Sequence, residues 1–529
     1  MQHYIKYYGF YCRYQKFFWA FIMLFSGLFA ILAFSSYNFW PASIISLTIL
    51  LIKVLESTWK QSAFYAFFWG IGFFGSGLQW MYISLHRFSN ISNYIVIILI
   101  IFFLLYLALF PIFFSIVLSV IRSYLKIMPL RYTVSIIPVL WSIIEYVREY
   151  MFTGFPWLQL GYSQIDGPLK SIAPIFGVEG VTFVLVLISG LLSVSIIQRS
   201  LLPAMIAAGI LLCLWCLTCL HWYSVQPKRA VHVSLVQGNI DQKIKWDVNY
   251  VEHILRTYVR HTLTLLGTTK IIIWPESAIP GNEKDYSYML TILDKKLSAF
   301  QTNLITGIIG INNIKNIYCY YNSIIVLGNF QPYKYPSINR YDKHHLVLFT
   351  ETYPCQKSFI KLLFNILDMP VFFMQKGSYI QNPLITSQVK ITAVICYEII
   401  CGKQMRNNFS PDTDFLLTVA NNAWFGDSTE PWQYLQIARM RALELGRPLL
   451  CSTNNGVTAI INADGSVQVR LLQFISSVLN ATVAPTTGLT PYAKFGSKLF
   501  WSVSLFFICV FLCLNFKIIY KRNSNFFLD

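Results

Sequence analysis

The chain has 529 residues, with 41 lysines and arginines against 23 aspartates and glutamates, a formal net charge of +18; only 12% of residues are charged and 55% are hydrophobic. Ordinary soluble domains carry about 25% charged residues, so the composition excludes an all-soluble protein, and it equally excludes disordered and collagen-like classes. A basic excess fits nucleic acid or an anionic membrane face, and the positions of the charges decide between them.

Apolar runs crowd the first 225 residues, at 17–35, 39–56, 63–84, 94–121, 132–150, 172–197 and 202–222, and an eighth lies at 499–516. Most approach the roughly 20 apolar residues that cross a bilayer. The first is too long for a signal-peptide core and others follow it, so it reads as an uncleaved anchor. The fifth carries Glu145 and Arg148, three apart on one helical face. Mid-bilayer charge costs about 2.5–3.5 kcal/mol, so the two are expected either to pair around a polar cavity or to snorkel at a helix end.

Eight spans put both termini on one side. That side collects Lys6, Arg13, Lys16, Lys53, Lys60, Arg122, Lys126, Arg131, Arg199, Lys517, Lys521 and Arg522, twelve basic residues against Arg87, Arg148 and Lys170 opposite. The bias is the positive-inside pattern. It makes both termini cytoplasmic and places the long segment between the last two spans outside, which is the periplasm of a double-membrane bacterium. The expected organisation is a seven-span membrane domain at 1–225, an external domain at 226–495, and a final span with a cytoplasmic tail at 496–529. Residues 226–498 hold 26 basic and 17 acidic residues, and the external excess suits anionic lipid headgroups.

The external segment differs in kind. Short β-rich runs recur: AVHVSLVQ, KIIIWP, NLITGII, NSIIVLG, HLVLF, VKITAVICY, DFLLTVAN, LLCSTNN and TAIINADG. Helical periodicity covers 248–266, 287–300 and 432–446. Strands alternating with helices predict an α/β or α+β domain with one core. The run FIKLLFNILDMPVFFM at 359–374 reads either as an apolar arm dipping into the membrane interface or as a buried helix.

Familiar motifs are missing. Cys213, Cys216 and Cys219 fall in the seventh run and read as helix packing, since no second ligand pair follows. Five further cysteines, Cys319, Cys355, Cys396, Cys401 and Cys451, lie in the external segment; the odd number leaves at least one unpaired there, a candidate reactive thiol. The histidines show no metal spacing, and there is neither a phosphate-cradling loop nor a serine elbow. Basic and aromatic residues do not interleave, which argues against nucleic acid.

Three external segments carry chemistry. IIIWPESAIP is a β-branched strand ending in Trp274-Pro275-Glu276; RYDKHHLVLFTE supplies Lys343 and Glu351; VKITAVICYEI delivers Cys396 at a strand end, followed by Tyr397 and Glu398. Taken singly, a strand-end Glu is usually solvated, a Lys is usually on the surface, and a buried Cys is usually inert. In this order they resemble the carbon–nitrogen hydrolase (nitrilase) superfamily. The resemblance extends to the bacterial apolipoprotein N-acyltransferase family through TGFPWLQLGYSQIDGPL at 153–169, VQGNIDQKIKWD at 236–247, NNAWFGDS at 421–428, QIARMRALELGRPLL at 436–450, STNNGVTAII at 452–461 and PTTGLTPYAKFG before the last span.

That resemblance implies a multi-pass α-helical membrane domain of about eight spans, joined to an external α/β domain folded as a nitrilase-like αββα sandwich. It implies a triad of Glu276 as general base, Lys343 as oxyanion and thiolate stabiliser, and Cys396 as nucleophile. Glu351 would be a further carboxylate near the lysine, and Trp246, Tyr397 and Glu398 would be supporting residues. The implied reaction moves a fatty acyl chain from phospholipid, through a thioester, to the N-terminal α-amine of a diacylglyceryl-apolipoprotein. It needs no metal and no organic cofactor, and the implied enzyme is a monomer of the bacterial inner membrane. Leu348, Thr350 and Asn422 stand where that family has Pro, Gly and Asp, and the first two put the loop around Glu351 in question. The triad alone also suits a membrane-tethered amidase or nitrilase. A transporter or lipid-binding scaffold fits poorly, because few charges fall inside the spans.

Overall fold

A computed structural model describes residues 2–88, 92–124, 130–314, 317–329, 331–348, 350–352 and 373–526. The expected apolar arm at 359–374 lies outside the described residues except for its last two positions. The chain divides into two compact units, one of Met1–Gln79, Tyr94–Leu220 and Ser497–Asp529, the other of Trp80–Asn93 and His221–Gly496.

The first unit is helical. Among the described residues, three stretches are long and apolar enough to cross a membrane, Gln15–Ala33, Asn93–Tyr124 and Pro168–Gln198; Leu201–Leu217 and Lys498–Leu514 are apolar but shorter. The third expected span, 63–84, is two helices, Trp59–Gly77 in this unit and Trp80–Phe88 in the second. Helices Gln2–Ala30 and Trp59–Gly77 approach backbone to backbone: a Cβ on Gly27 would meet the Trp69 carbonyl at 2.2 Å, and one on Gly72 the Leu24 carbonyl at 2.1 Å. Small residues at such crossings permit the dispersion contacts that hold helices together in lipid. Trp69 Nε1 donates to Ser46 Oγ at 2.9 Å, adding polar glue. Glu145 and Arg148 do pair, at 3.7 Å and largely buried. The guanidinium also donates to the carbonyls of Phe155, at 3.0 Å, and Trp157, at 2.6 Å, which accounts for its burial without snorkelling.

The second unit is built on two six-stranded sheets. The strands are β1 (Ser224–Val225), β2 (Val231–Gln237), β3 (Ile271–Ile273), β4 (Asn303–Ile314), β5 (Ile317–Leu327), β6 (Arg340–Asp342), β7 (Leu384–Ile385), β8 (Lys390–Ile395), β9 (Phe415–Ala420), β10 (Leu449–Thr453), β11 (Ala459–Ile461), β12 (Val467–Arg470), β13 (Ser477–Val483) and β14 (Thr486–Thr487). One sheet runs β13-β2-β3-β4-β5-β6, the other β12-β11-β10-β9-β8-β7. Strands β2, β3 and β4 are mutually parallel, as are β8, β9 and β10, while the outer strands are antiparallel. β1 pairs with β14, so the chain enters and leaves the unit side by side.

Side-chain alternation explains the layers. Val231, Val233, Leu235, Ile271 and Ile273 meet Ile391, Ala393, Ile395, Leu417 and Val419 in one core between the sheets. The intervening residues Val236, Ile272 and Leu304 face a second core with Ile254, Tyr258, Leu290 and Leu297 of helices Val248–Leu265 and Ser287–Ala299. Helix Glu430–Leu445 packs on β10 and β11. The order is helix, sheet, sheet, helix. Both sheets are covered, so their parallel strands read as continuous apolar runs.

The expected strand HLVLF is not a strand; the described part of it makes an isolated bridge between Leu348 and Thr352. Its backbone donors are spent on carboxylates. Glu398 takes the N–H of His345 and Glu351 takes that of Val347, which leaves no ladder to form.

Candidate active site

Strands of the two parallel sets lead into two of the candidate residues, Glu276 after β3 and Cys396 after β8. β3 ends in Trp274, whose ring is buried and whose Nε1 donates to Thr262 Oγ1 at 3.0 Å. The next turn puts Ser277 at φ 47°, a left-handed conformation uncommon for a residue with a Cβ. It fits because Gly307 lies beneath: a Cβ there would meet Ser277 N at 2.4 Å and Pro275 O at 2.7 Å. This turn presents Glu276, only 8% exposed. Its Oε1 accepts from Asn322 Nδ2 at 2.8 Å, and its Oε2 from the backbone N–H of Asn421, just past β9, at 2.9 Å. Its carbonyl accepts from Lys245 Nζ at 3.0 Å.

Lys343 follows β6. Its backbone N–H donates to Asn322 O at 2.8 Å, and its ammonium is buried, 2.9 Å from Glu351 and 3.7 Å from Glu276. Asn322 Nδ2 also donates to Glu351 Oε1 at 3.0 Å, so one amide bridges both carboxylates. Glu351 closes its own turn, accepting from the Val347 N–H at 2.8 Å while its N–H donates to Val347 O at 3.0 Å. The turn that raised doubt with Leu348 and Thr350 therefore holds Glu351 on Lys343.

Cys396 ends β8 with φ 53°. Such a residue costs about 1–3 kcal/mol and persists only when its surroundings over-determine it. Glu398 does that. Fully buried, it accepts from the backbone N–H of Ile395 (2.9 Å), His344 (2.8 Å) and His345 (2.9 Å), from Tyr341 Oη (2.9 Å) and from Gln404 Nε2 (3.2 Å). One carboxylate thus ties the elbow of Cys396 to the segment carrying Lys343. Tyr434 Oη donates to the Cys396 carbonyl at 3.2 Å.

The electrostatics set a resting state. Burial pushes the Cys396 thiol well above its ordinary range and the Glu276 charge adds to that, while Lys343 opposes both. The thiol is therefore protonated at rest. Burial by itself would lower Lys343, but Glu351, Glu276 and Cys396 together hold it above its usual value, so it stays an ammonium. Burial pulls Lys245 down to about 8, against the charges of Glu276 and Cys396. A protonated thiol beside a carboxylate and a fixed ammonium is an arrangement for general-base activation of sulfur.

Of the sequence-derived residues, Glu276, Lys343 and Glu351 are joined by hydrogen bonds and Cys396 lies within their field. Glu398 supports the site from below. Tyr397 is half-buried on the turn after Cys396, and Trp246 is exposed, on the turn before helix Val248–Leu265. Sequence reasoning missed Asn322, Asn421 and Lys245. It missed too Gln242, whose Oε1 accepts from Asn421 Nδ2 at 2.6 Å, and Asn454, whose Nδ2 donates to Asn421 Oδ1 at 3.0 Å. All but Asn322 lie in segments that carried the family resemblance, so the signal was present but unassigned. Asn422, the remaining departure, donates from Nδ2 to Glu430 Oε2 at 2.9 Å, both buried. Burial raises Glu430 to about 8.

Comparison with known proteins extends beyond the site. A family model described as apolipoprotein N-acyltransferase N-terminal domain matches residues 26–191, and one described as carbon-nitrogen hydrolase matches residues 232–492. An apolipoprotein N-acyltransferase of Wigglesworthia glossinidia brevipalpis is 42% identical over 506 residues, 95% of this chain and 99% of that protein. One of Pasteurella multocida is 38% identical, covering 93% of this chain and 94% of that protein. A solved carbon-nitrogen hydrolase from Helicobacter pylori aligns with 52% of this chain and 94% of its own, at 14% identity and a TM-score of 0.34.

Proposed function

The chain belongs to the apolipoprotein N-acyltransferase family, and we propose that its N-acylation of apolipoproteins runs through a thioester on Cys396. In the first half-reaction Glu276 takes the thiol proton and the sulfur attacks an acyl ester carbonyl of phospholipid. The C–O bond breaks, the lysophospholipid alkoxide takes the proton back from Glu276, and an acyl–sulfur bond remains. In the second, the α-amine of a diacylglyceryl-cysteine attacks the thioester while Glu276 takes its proton. The C–S bond breaks and the released sulfur is reprotonated. A thiol suits this role because it divides one hard transfer into two easier ones.

Lys343 and the backbone N–H of Tyr397 are the donors to the tetrahedral oxyanion, each such donor being worth about 2.7–4 kcal/mol. Glu351 orients Lys343 by a charge-assisted hydrogen bond. The observation that carries this reading is a buried ammonium flanked by two carboxylates that share the Asn322 amide, at the strand end where Cys396 turns through a left-handed backbone. Hydrolysis competes with transfer, so the site works against the bilayer, where water is scarce and acyl chains enter laterally. We place the catalytic domain, 226–495, in the periplasm of a monomeric inner-membrane enzyme. Seven spans in 1–225 and one in 496–529 anchor it, with both termini cytoplasmic, as supported by the asymmetry of basic residues. Trp246 and Tyr397 are supporting residues of the site.

The test is to incubate the purified protein with acyl-labelled phospholipid and search for an acyl adduct on Cys396 by peptide mass spectrometry. An adduct in the wild type that is lost in both Cys396→Ser and Glu276→Gln is expected. A Cys396→Ser variant with full turnover removes the nucleophile assignment.

A further inference from the structure

Lys245 is a buried charge with no part in the chemistry so far. It sits in the turn between β2 and helix Val248–Leu265, is 3% exposed, and donates from Nζ to the Glu276 carbonyl at 3.0 Å. An ammonium is rarely buried unless its charge is compensated. Here the compensation comes from across the site. The groups whose charges act on Lys245 are Glu276 and Cys396, while Asp241 and Asp247 of its own turn accept from the backbone N–H groups of Lys243 and Asn249. Two buried carboxylates, Glu276 and Glu351, face the ammonium of Lys343, and Glu351 holds that ammonium 0.8 Å closer than Glu276 does, at 2.9 against 3.7 Å. Lys245 brings the balance to two cations and two anions. The balance survives proton transfer, because the negative charge leaves Glu276 and appears on the Cys396 sulfur.

We infer that Lys245 is a positioning residue of the reaction: its ammonium pins the carbonyl of Glu276, fixing the left-handed Pro275–Ser277 turn that aims the carboxylate, and it balances the negative charge that passes from Glu276 to Cys396. The inference rests on the thioester reading above. It also explains why a lysine next to the exposed Trp246 turns inward.

The test uses full-length protein in detergent, with iodoacetamide as probe and alkylation of the Cys396 peptide read by mass spectrometry across pH 6 to 10. The groups facing the sulfur, Glu276, Lys343, Glu351, Glu430 and Tyr434, are the same in every variant. In Lys245→Met, alkylation near neutral pH falls about tenfold or more, one pH unit being a tenfold change in thiolate population, and the deficit closes as pH rises past about 8, where the wild-type lysine gives up its own charge. The neutral-pH melting temperature does not fall. A buried lysine depressed to about 8 costs stability below that pH, and Met removes the cost. Lys245→Arg, which keeps its charge at every pH, alkylates at least as fast as the wild type near neutral pH and faster above about pH 8. If Lys245→Met does not fold, the Arg variant alone decides: neutral-pH alkylation slowed about tenfold in it overturns the inference. So does a folded Lys245→Met with an unmoved profile, or one slowed equally at every pH with a lower melting temperature, the mark of structural support only. The wild-type acyl adduct separates the two claims. Its absence sinks the thioester reading, whereas an adduct with an unmoved Lys245→Met profile sinks only the role of Lys245.

Discussion

Glu398→Gln gives the most quantitative prediction. Glu398 is fully buried and accepts five hydrogen bonds, three of them from backbone N–H groups. Gln keeps the shape but replaces one oxygen by a donor. If the amide nitrogen takes the Oε1 position, it confronts the N–H groups of both His344 and His345. At the Oε2 position it confronts the Ile395 N–H, while the Tyr341 hydroxyl rotates to accept. The second orientation is cheaper and strands one buried donor, at about 1–3 kcal/mol. The two histidine N–H bonds also lose a charged acceptor, about 1 kcal/mol each, for a total of about 3–5 kcal/mol. At about 2–4 °C per kcal/mol for a domain of this size, the melting temperature drops by about 6–20 °C. Lys343 and Cys396 are the residues displaced, and a shift of about 1 Å in a catalytic group costs on the order of 100-fold in rate. Thermal unfolding in detergent and the rate of acyl-adduct formation measure the two effects. An unchanged melting temperature with an undiminished rate refutes the argument that Glu398 holds the elbow and the lysine together.

Asn322→Asp replaces the amide shared by Glu276 and Glu351 with a third carboxylate. Like charges at this separation cannot all ionise, so adduct formation falls by at least about 100-fold, and Asn322→Ala loses less. Asn422→Asp places a carboxylate against the buried Glu430; it destabilises alone, and adding Glu430→Gln restores the donor–acceptor pair, with a coupling of about 0.5–3 kcal/mol in a double-mutant cycle. Additive losses refute that pairing. The pH dependence of stability reports Glu430 directly. Its carboxyl is raised from an ordinary value of 4.5 to about 8 by burial. The folded state therefore keeps a proton that the unfolded state releases, and stability is full below about 4.5 and lost as pH rises towards about 8. The loss reaches at most about 1.4 kcal/mol per pH unit. Glu430→Gln flattens this slope in melting experiments, and an unaltered slope contradicts the assignment.

What was legible in the sequence follows from burial. The covered parallel strands announce themselves as β-branched runs, and AVHVSLVQ, VKITAVICY and DFLLTVAN match β2, β8 and β9 closely. The amphipathic run 248–266 matches helix Val248–Leu265, because a helix on a sheet buries one stripe only. Edge strands were missed. β12 is largely exposed and β13 only partly buried, so they carry no continuous apolar signal. HLVLF has strand composition, but its N–H groups are claimed by Glu398 and Glu351, a tertiary fact that no local pattern encodes. The candidate residues Glu276, Lys343 and Cys396 were named through ordered motifs. Asn322 and Lys245 were not, since an isolated Asn opening a strand and a Lys in a polar turn look solvated until the fold turns them inward. The membrane count was the least legible. The 63–84 run is mostly apolar, yet it breaks after Gly77, beside Gln79, into two helices.

The central claim is that Cys396 holds the acyl chain between donor and acceptor. Its most direct test isolates the labelled acyl-enzyme after phospholipid treatment, adds a diacylglyceryl-cysteine peptide, and follows the label in a single turnover. The account predicts that label leaves Cys396 and appears as an amide on the peptide α-amine at the same rate. Release chiefly as free fatty acid, or peptide acylation with no label ever on Cys396, contradicts it.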